Sequence, residues 1–97
     1  MRWVAIFDDT VEMNAVRAIH ESEHMEYLRN YETEIVIAGG LRDEPGGLFC
    51  GGLWVMEVQS RQRAVELVEA DPYFLHGARQ YRLQVWGKAF ADKKVVL

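Results

Sequence analysis

Two stretches of the chain are apolar at every position where a half-buried strand should alternate. Trp3-Val4-Ala5-Ile6-Phe7 is one, and Leu53-Trp54-Val55-Met56, opening the segment Leu53–Val58, is the other. Successive strand residues point to opposite faces, so such runs must be covered on both sides. The rest of the chain supplies cover for one side only. The segment Val11–Tyr31 is periodic at the helical repeat, with Met13, Val16, His20, His24, Tyr27 and Tyr31 on one stripe and Ile19 and Leu28 at its margins. Glu12, Glu21, Glu26 and Glu32 crowd its outer side. A second helix is predicted over Arg61–Ala70, capped by Ser60, with Ala64, Leu67 and Val68 as its stripe.

The remaining elements complete a recognisable order. Asp8-Asp9-Thr10 offers N-cap chemistry ahead of the first helix. Ile35–Ala38 reads as a strand stopped by Gly39-Gly40, followed by a glycine-rich loop from Arg42 to Gly52. Asp71-Pro72-Tyr73 opens a short extra turn ended by Gly77, because proline suits a first helical position. Arg79–Phe90 alternates as a fourth strand, and Val95-Val96-Leu97 is expected as a short fifth one. The order β-α-β-β-α-β is the split βαβ pattern of ferredoxin-like α+β domains, with both helices on one face of an antiparallel sheet. The uncovered second face then predicts an obligate homodimer packed sheet to sheet, of the dimeric α+β barrel type. A monomer would expose an apolar patch that soluble proteins rarely tolerate.

Composition narrows the function classes. The 97 residues predict one domain, and 49% of them are hydrophobic, which excludes disorder. A formal charge of -4, with no basic cluster beyond Lys93-Lys94, argues against a nucleic-acid partner. The single Cys50 excludes an intrachain disulfide and fits a reducing, cytoplasmic setting. No signal-peptide core or bilayer-spanning run is present, so no membrane association is expected.

His24 and Asp71 are polar groups set into apolar helical stripes, and the split βαβ topology brings the middle of the first helix to the end of the second. A carboxylate bonded to one imidazole nitrogen fixes the tautomer and raises the basicity of the other, making a positioned general base. The plainer account of Asp71 is a cap on the turn Pro72–Leu75, and that of His24 is a core histidine satisfied by backbone. His20 lies one turn from His24, a spacing that can hold a divalent ion with Asp71 or His76 as third ligand. Without the glutamate of a metalloprotease helix that signal is weak, and no metal or cofactor is expected. Tyr73 and Trp86 are placed at a pocket wall. Arg17 either anchors an anionic substrate or pairs with Glu21 on the helix surface. The glycine-rich loop lacks the Gly-Lys-Ser/Thr ending of a phosphate loop and is expected to border the pocket. Cys50 within it has no cationic neighbour in sequence to activate it.

Four features together resemble the YciI-like (YCII-related) family: His24-Met25-Glu26-Tyr27-Leu28, Ala38-Gly39-Gly40-Leu41, Asp71-Pro72-Tyr73, and a strand closing on Trp86. The resemblance covers nearly the whole chain. It implies a ferredoxin-like fold, dimerisation through the sheets, and a pocket holding a histidine and an aspartate, here His24 and Asp71. Relatives include a dehydrochlorinase acting on a chlorinated aromatic, and the fold is shared with muconolactone isomerases. The chain departs from the family where many members carry proline after the strand-2 glycine and this one has Gly40. It departs again ahead of His24, where Glu21, Ser22 and Glu23 stand in place of a basic residue.

These readings converge on a proton-transfer enzyme needing no cofactor, a lyase, dehydrohalogenase or isomerase of a small cyclic or aromatic molecule. His24 is the expected acid/base, Asp71 its orienting partner and Tyr73 a hydrogen-bond donor, with His20, Arg17 and Trp86 contacting substrate. The alternative is a non-catalytic, dimeric small-ligand-binding or accessory protein. A cofactorless oxygenase is a third possibility.

Overall fold

The computed structural model describes residues 1–77 and 79–95. Its elements are β1 (Arg2–Asp8), α1 (Met13–Asn30), β2 (Ile35–Leu41), β3 (Gly51–Glu57), α2 (Arg61–Glu69), α3 (Pro72–His76) and β4 (Gln80–Val85). The four strands form one sheet in the order β2-β3-β1-β4, antiparallel at every junction. This is the split βαβ arrangement expected from the sequence.

Register explains which residues meet the helices. Ala5 stands between Trp54 and Leu83, and Phe7 between Gly52 and Tyr81. Ala5, Phe7, Trp54 and Met56 join Ala64, Leu67 and Val68 of α2 in the buried core. Phe7 and Trp54 meet edge to face, their centroids 5.3 Å apart, a geometry that favours aromatic pairs beyond area burial alone. The opposite parity, Val4 and Ile6 with Leu53 and Val55 across the ladder, lines the outer face. That face is shared with Ile37, 50% exposed, and Trp86, 51% exposed. The second apolar face is therefore real, and the helices leave it uncovered.

Several boundaries differ from the sequence reading, each for a visible reason. β2 runs through Gly39-Gly40 to Leu41 because β3 begins at Gly51 and supplies ladder partners to both glycines. β4 ends at Val85 rather than Phe90, because β1 starts at Arg2: after Trp86 N–H reaches the Arg2 carbonyl at 3.0 Å, nothing remains to pair with. Val95 lies outside any strand, and the rest of the expected fifth strand, 96–97, falls outside the described residues. The first helix starts at Met13 with Glu12 at its cap and no side-chain cap bond. The Thr10 carbonyl accepts the Met13 N–H instead (3.1 Å), and Asp9 is engaged elsewhere. Ser60 caps α2 as expected, its hydroxyl accepting from Arg63 N–H at 3.1 Å.

One hydroxyl fixes how α1 meets the end of α2. The last carbonyls of a helix lack internal partners. The Asp71 N–H turns to Val68, leaving Leu67 C=O free, and the Tyr27 hydroxyl donates to it at 2.6 Å. Burial pushes the Tyr27 phenol up to about 12. An unfolded tyrosine ionises near 10. Between these values the folded chain holds a proton that the unfolded chain has released, so stability falls as pH rises above 10. Tyr27→Phe is expected to cost about 1–2 kcal/mol near neutrality and to flatten part of that alkaline loss. Urea denaturation at about pH 8 and about pH 11 measures both effects. Equal alkaline losses in the two proteins would overturn the assignment.

Candidate active site

Asp71 is simultaneously a cap and a partner. It precedes α3 in extended conformation, and its Oδ1 accepts the Tyr73 N–H at 3.2 Å. The same oxygen lies 2.7 Å from His24 Nδ1, although the residues are 47 apart in sequence. The two sequence accounts of Asp71 are thus compatible, since one carboxylate oxygen serves both contacts. Asp71 is 1% exposed and His24 9%. The Tyr73 ring lies flat on the imidazole, 3.7 Å between centroids and 6° from parallel. With Nδ1 committed to Asp71, Nε2 is the imidazole nitrogen left for a guest. Burial raises the Tyr73 phenol above its ordinary value, Glu21 adding to the effect, so its hydroxyl stays protonated as a donor.

Beneath this pair lies an ion-pair network that the sequence reading did not assemble. Arg79 donates to Asp9 twice, Nε to Oδ1 at 2.9 Å and Nη2 to Oδ2 at 3.1 Å. Arg17 Nη2 reaches Asp9 Oδ2 at 2.6 Å and the Gly51 carbonyl at 3.2 Å. Arg79 Nη1 stands 3.9 Å from Asp71 Oδ2, which links the network to the His24 pair. The Asp9 and Arg79 side chains are 0% and 3% exposed. Burial alone would raise the Asp9 carboxyl, but hydrogen bonds and charge from Arg79 and Arg17 outweigh it and hold it below the usual range. Gly52 makes the space: a Cβ there would stand 2.9 Å from Arg79 Nη2. The Arg79 guanidinium also lies over the Phe7 ring, 4.1 Å from its centroid. Two polar atoms here are buried without a hydrogen-bond partner among the described residues, Asp71 Oδ2 and Arg17 Nη1.

His24 opens onto a cavity of about 200 Å³. Arg17, Arg79, Tyr73 and Glu21 supply polar wall, and Leu28, Trp54 and Phe49 apolar wall. Phe49 comes from the glycine-rich loop, as expected of a segment bordering the pocket, and lies between the guanidiniums of Arg17 and Arg42, each 5.1 Å from its centroid. A Cβ on residue 40 would overlap this ring. Gly40, the position of the departure from the family's proline, is what admits Phe49 to the wall.

The remaining sequence candidates divide. Tyr73 and Arg17 line the cavity, but Arg17 pairs with Asp9 rather than Glu21. Trp86 lies on the outer sheet face, away from His24, because the strand parity that points Leu83 inward points Trp86 outward. His20 also stands apart. Its Nδ1 is 3.3 Å from Glu23 Oε1 and its ring stacks on His76 at 3.8 Å. The ligand-type group that forms around His20 is with Glu23 and His76 and does not include His24. Asp9 and Arg79 are the residues the sequence reading missed.

No helix among the described residues is long and apolar enough to cross a membrane. No curated protein matches the chain in sequence. Among solved structures it is similar to a 5-chloro-2-hydroxyhydroquinone dehydrochlorinase from Burkholderia phenoliruptrix AC1100, determined in complex with 2,5-dihydroxybenzoquinone. The TM-score is 0.77 at 22% identity, over 90% of this chain and 94% of that one, a likeness of fold. The family model described as the YCII-related domain matches residues 1–87, and the chain belongs to that family.

Proposed function

We propose that the chain is a proton-transfer enzyme acting on a small six-membered ring compound, a lyase of the dehydrohalogenase type or an isomerase. The observation that carries this reading is the 2.7 Å contact between His24 Nδ1 and Asp71 at the wall of the cavity. The carboxylate holds the proton on Nδ1 and stabilises the imidazolium that forms when Nε2 accepts a proton. In an elimination, Nε2 takes the proton, the electron pair left behind becomes the new π bond, and halide departs with the electrons of its own bond. In an isomerisation the same nitrogen returns the proton to a different carbon.

Size and charge support the substrate class. A cavity near 150 Å³ holds benzene, so about 200 Å³ fits one ring with small substituents. Arg17, with one buried nitrogen unpaired among the described residues, is the candidate anchor for a ring oxygen. Tyr73 is the candidate donor to negative charge developing on the ring. The structural neighbour's substrate, a chlorinated hydroquinone, belongs to the same chemical class. The apolar outer sheet face supports a second copy packed against it, which would complete a homodimer.

The test is chloride release from single-ring chlorinated hydroquinones, followed by ion chromatography alongside the quinone absorbance. Turnover above the buffer rate, with nothing added but substrate, is expected. The capping bond from Tyr73 N–H to Asp71 favours one rival, in which the His24–Asp71 contact only ties the helices together. Saturable binding of ring compounds, with neither chloride release nor an isomerised product, would establish that rival instead.

A further inference from the structure

We propose that His20, Glu23 and His76 form a binding site for a first-row divalent transition ion such as Zn²⁺, bridging α1 to α3 on the outside of the cavity. One ligand-type atom from each residue lies within 4.8 Å of the other two. His20 and Glu23 share one face of α1 at a spacing of three residues, and their side chains are already 3.3 Å apart. His76 closes α3 and lays its ring on His20, 3.8 Å between centroids and 3° from parallel. Two imidazoles and a carboxylate are a donor set suited to zinc, nickel and copper rather than to calcium or magnesium. Bonds of about 2.0–2.2 Å in a tetrahedron put ligand atoms about 3.3 Å apart, so the cluster needs to contract by at most about 1.5 Å. The stacked rings must splay for both lone pairs to meet one ion. His76 is exposed at the end of its helix, so its ring has room on the solvent side to turn. Water would complete the coordination.

The position gives the ion a consequence. α3 is five residues long, too short to hold together by its own hydrogen bonds. Asp71 caps its start and Tyr73 lies within it, and both touch His24. The His20–His76 stack and the His24–Tyr73 stack are two contacts between the same pair of helices, the first about one helical turn beyond the second. An ion held by His20 and His76 therefore pins the free end of the segment that positions Asp71.

The test is titration of the tag-free, metal-stripped chain with Zn²⁺ by calorimetry, together with melting curves at increasing Zn²⁺. One ion per chain and a melting temperature that rises with ion concentration are expected. His76→Ala and His20→Ala should each weaken the affinity by at least about tenfold and abolish the melting shift. Cys50→Ser should leave the affinity unchanged, which separates this site from the exposed thiol. His76 is exposed and bears no core packing, so its variant tests the ion rather than the fold. Absence of saturable binding, or binding that survives both histidine substitutions, overturns the proposal. Neither readout depends on turnover, so the result stands apart from that of the proposed reaction.

Discussion

Replacing His24 by alanine is expected to lower kcat for the proposed proton transfer by roughly 10²–10⁴-fold, the usual contribution of a positioned acid/base. The substitution also removes one partner of a carboxylate that is 1% exposed, at a cost of about 1–3 kcal/mol. A second variant separates the two effects. His24→Gln keeps a donor beside Asp71 but has no basic nitrogen, so it should retain more of the stability and none of the turnover. Asp71→Asn should match the loss of kcat by another route. Its amide oxygen, in the place of Oδ1, can still accept both the Tyr73 N–H and the His24 Nδ1–H. With no negative charge beside it the imidazolium is no longer stabilised, so the base is weakened without loss of the cap. Thermal melts and kinetics on all three variants therefore give a pattern that a purely structural contact cannot produce. Full turnover in His24→Gln would remove His24 from the mechanism.

The parts of this site that were legible in the sequence are those where a polar residue interrupts an apolar pattern. His24 and Asp71 stand out in that way, and the order of elements implied that their helices meet. The doubly apolar runs of β1 and β3 likewise announced a sheet with two faces to cover. Asp9 and Arg79 escaped because each had an ordinary explanation at hand. Asp9 sits in Asp8-Asp9-Thr10, which reads as a helix cap, and Arg79 stands at the start of a strand, where a charge draws no notice. A signal was nevertheless present in strand parity. Trp3, Ala5, Phe7 and Asp9 share one parity, as do Leu83, Tyr81 and Arg79, and the ladder pairs Ala5 with Leu83 and Phe7 with Tyr81. One step further along, Asp9 and Arg79 stand opposite each other, and the 2.9 Å and 3.1 Å bonds between them follow. Trp86 fails for the converse reason. Its parity points outward, and an aromatic residue alone does not say which wall it belongs to. For His20, a helical stripe gives its direction but not how far α3 reaches, and α3 meets it with His76 rather than with the cavity.

Asp9→Asn is expected to be the most destabilising single substitution at the site. The carboxylate neutralises two guanidiniums at once, and the Arg79 and Arg17 side chains are 3% and 11% exposed. Removing one member of a buried ion pair costs about 3–5 kcal/mol, because the partner charge stays in a low-dielectric setting. Here two cations are left behind, so the upper end applies. For a chain of this size that corresponds to a fall in Tm of roughly 20–40 °C, a large fraction of a typical domain's margin. Asp9 also imposes a pH dependence. Its folded pKa lies below the unfolded one, so its stabilisation is complete above the ordinary carboxylate pKa near 4 and disappears as pH falls through the folded value. Asp9→Asn should remove that part of the acid loss, so the stability gap between the two proteins narrows as the medium is acidified. Adding Arg79→Met to Asp9→Asn should recover part of the loss, since it deletes one uncompensated cation and replaces it with apolar volume over Phe7. A melting temperature for Asp9→Asn within about 3 °C of the parent, with the gap unchanged in acid, would mean that water or Glu21 screens the arginines and that the buried network is not what holds β1, β4 and α1 together at the cavity floor.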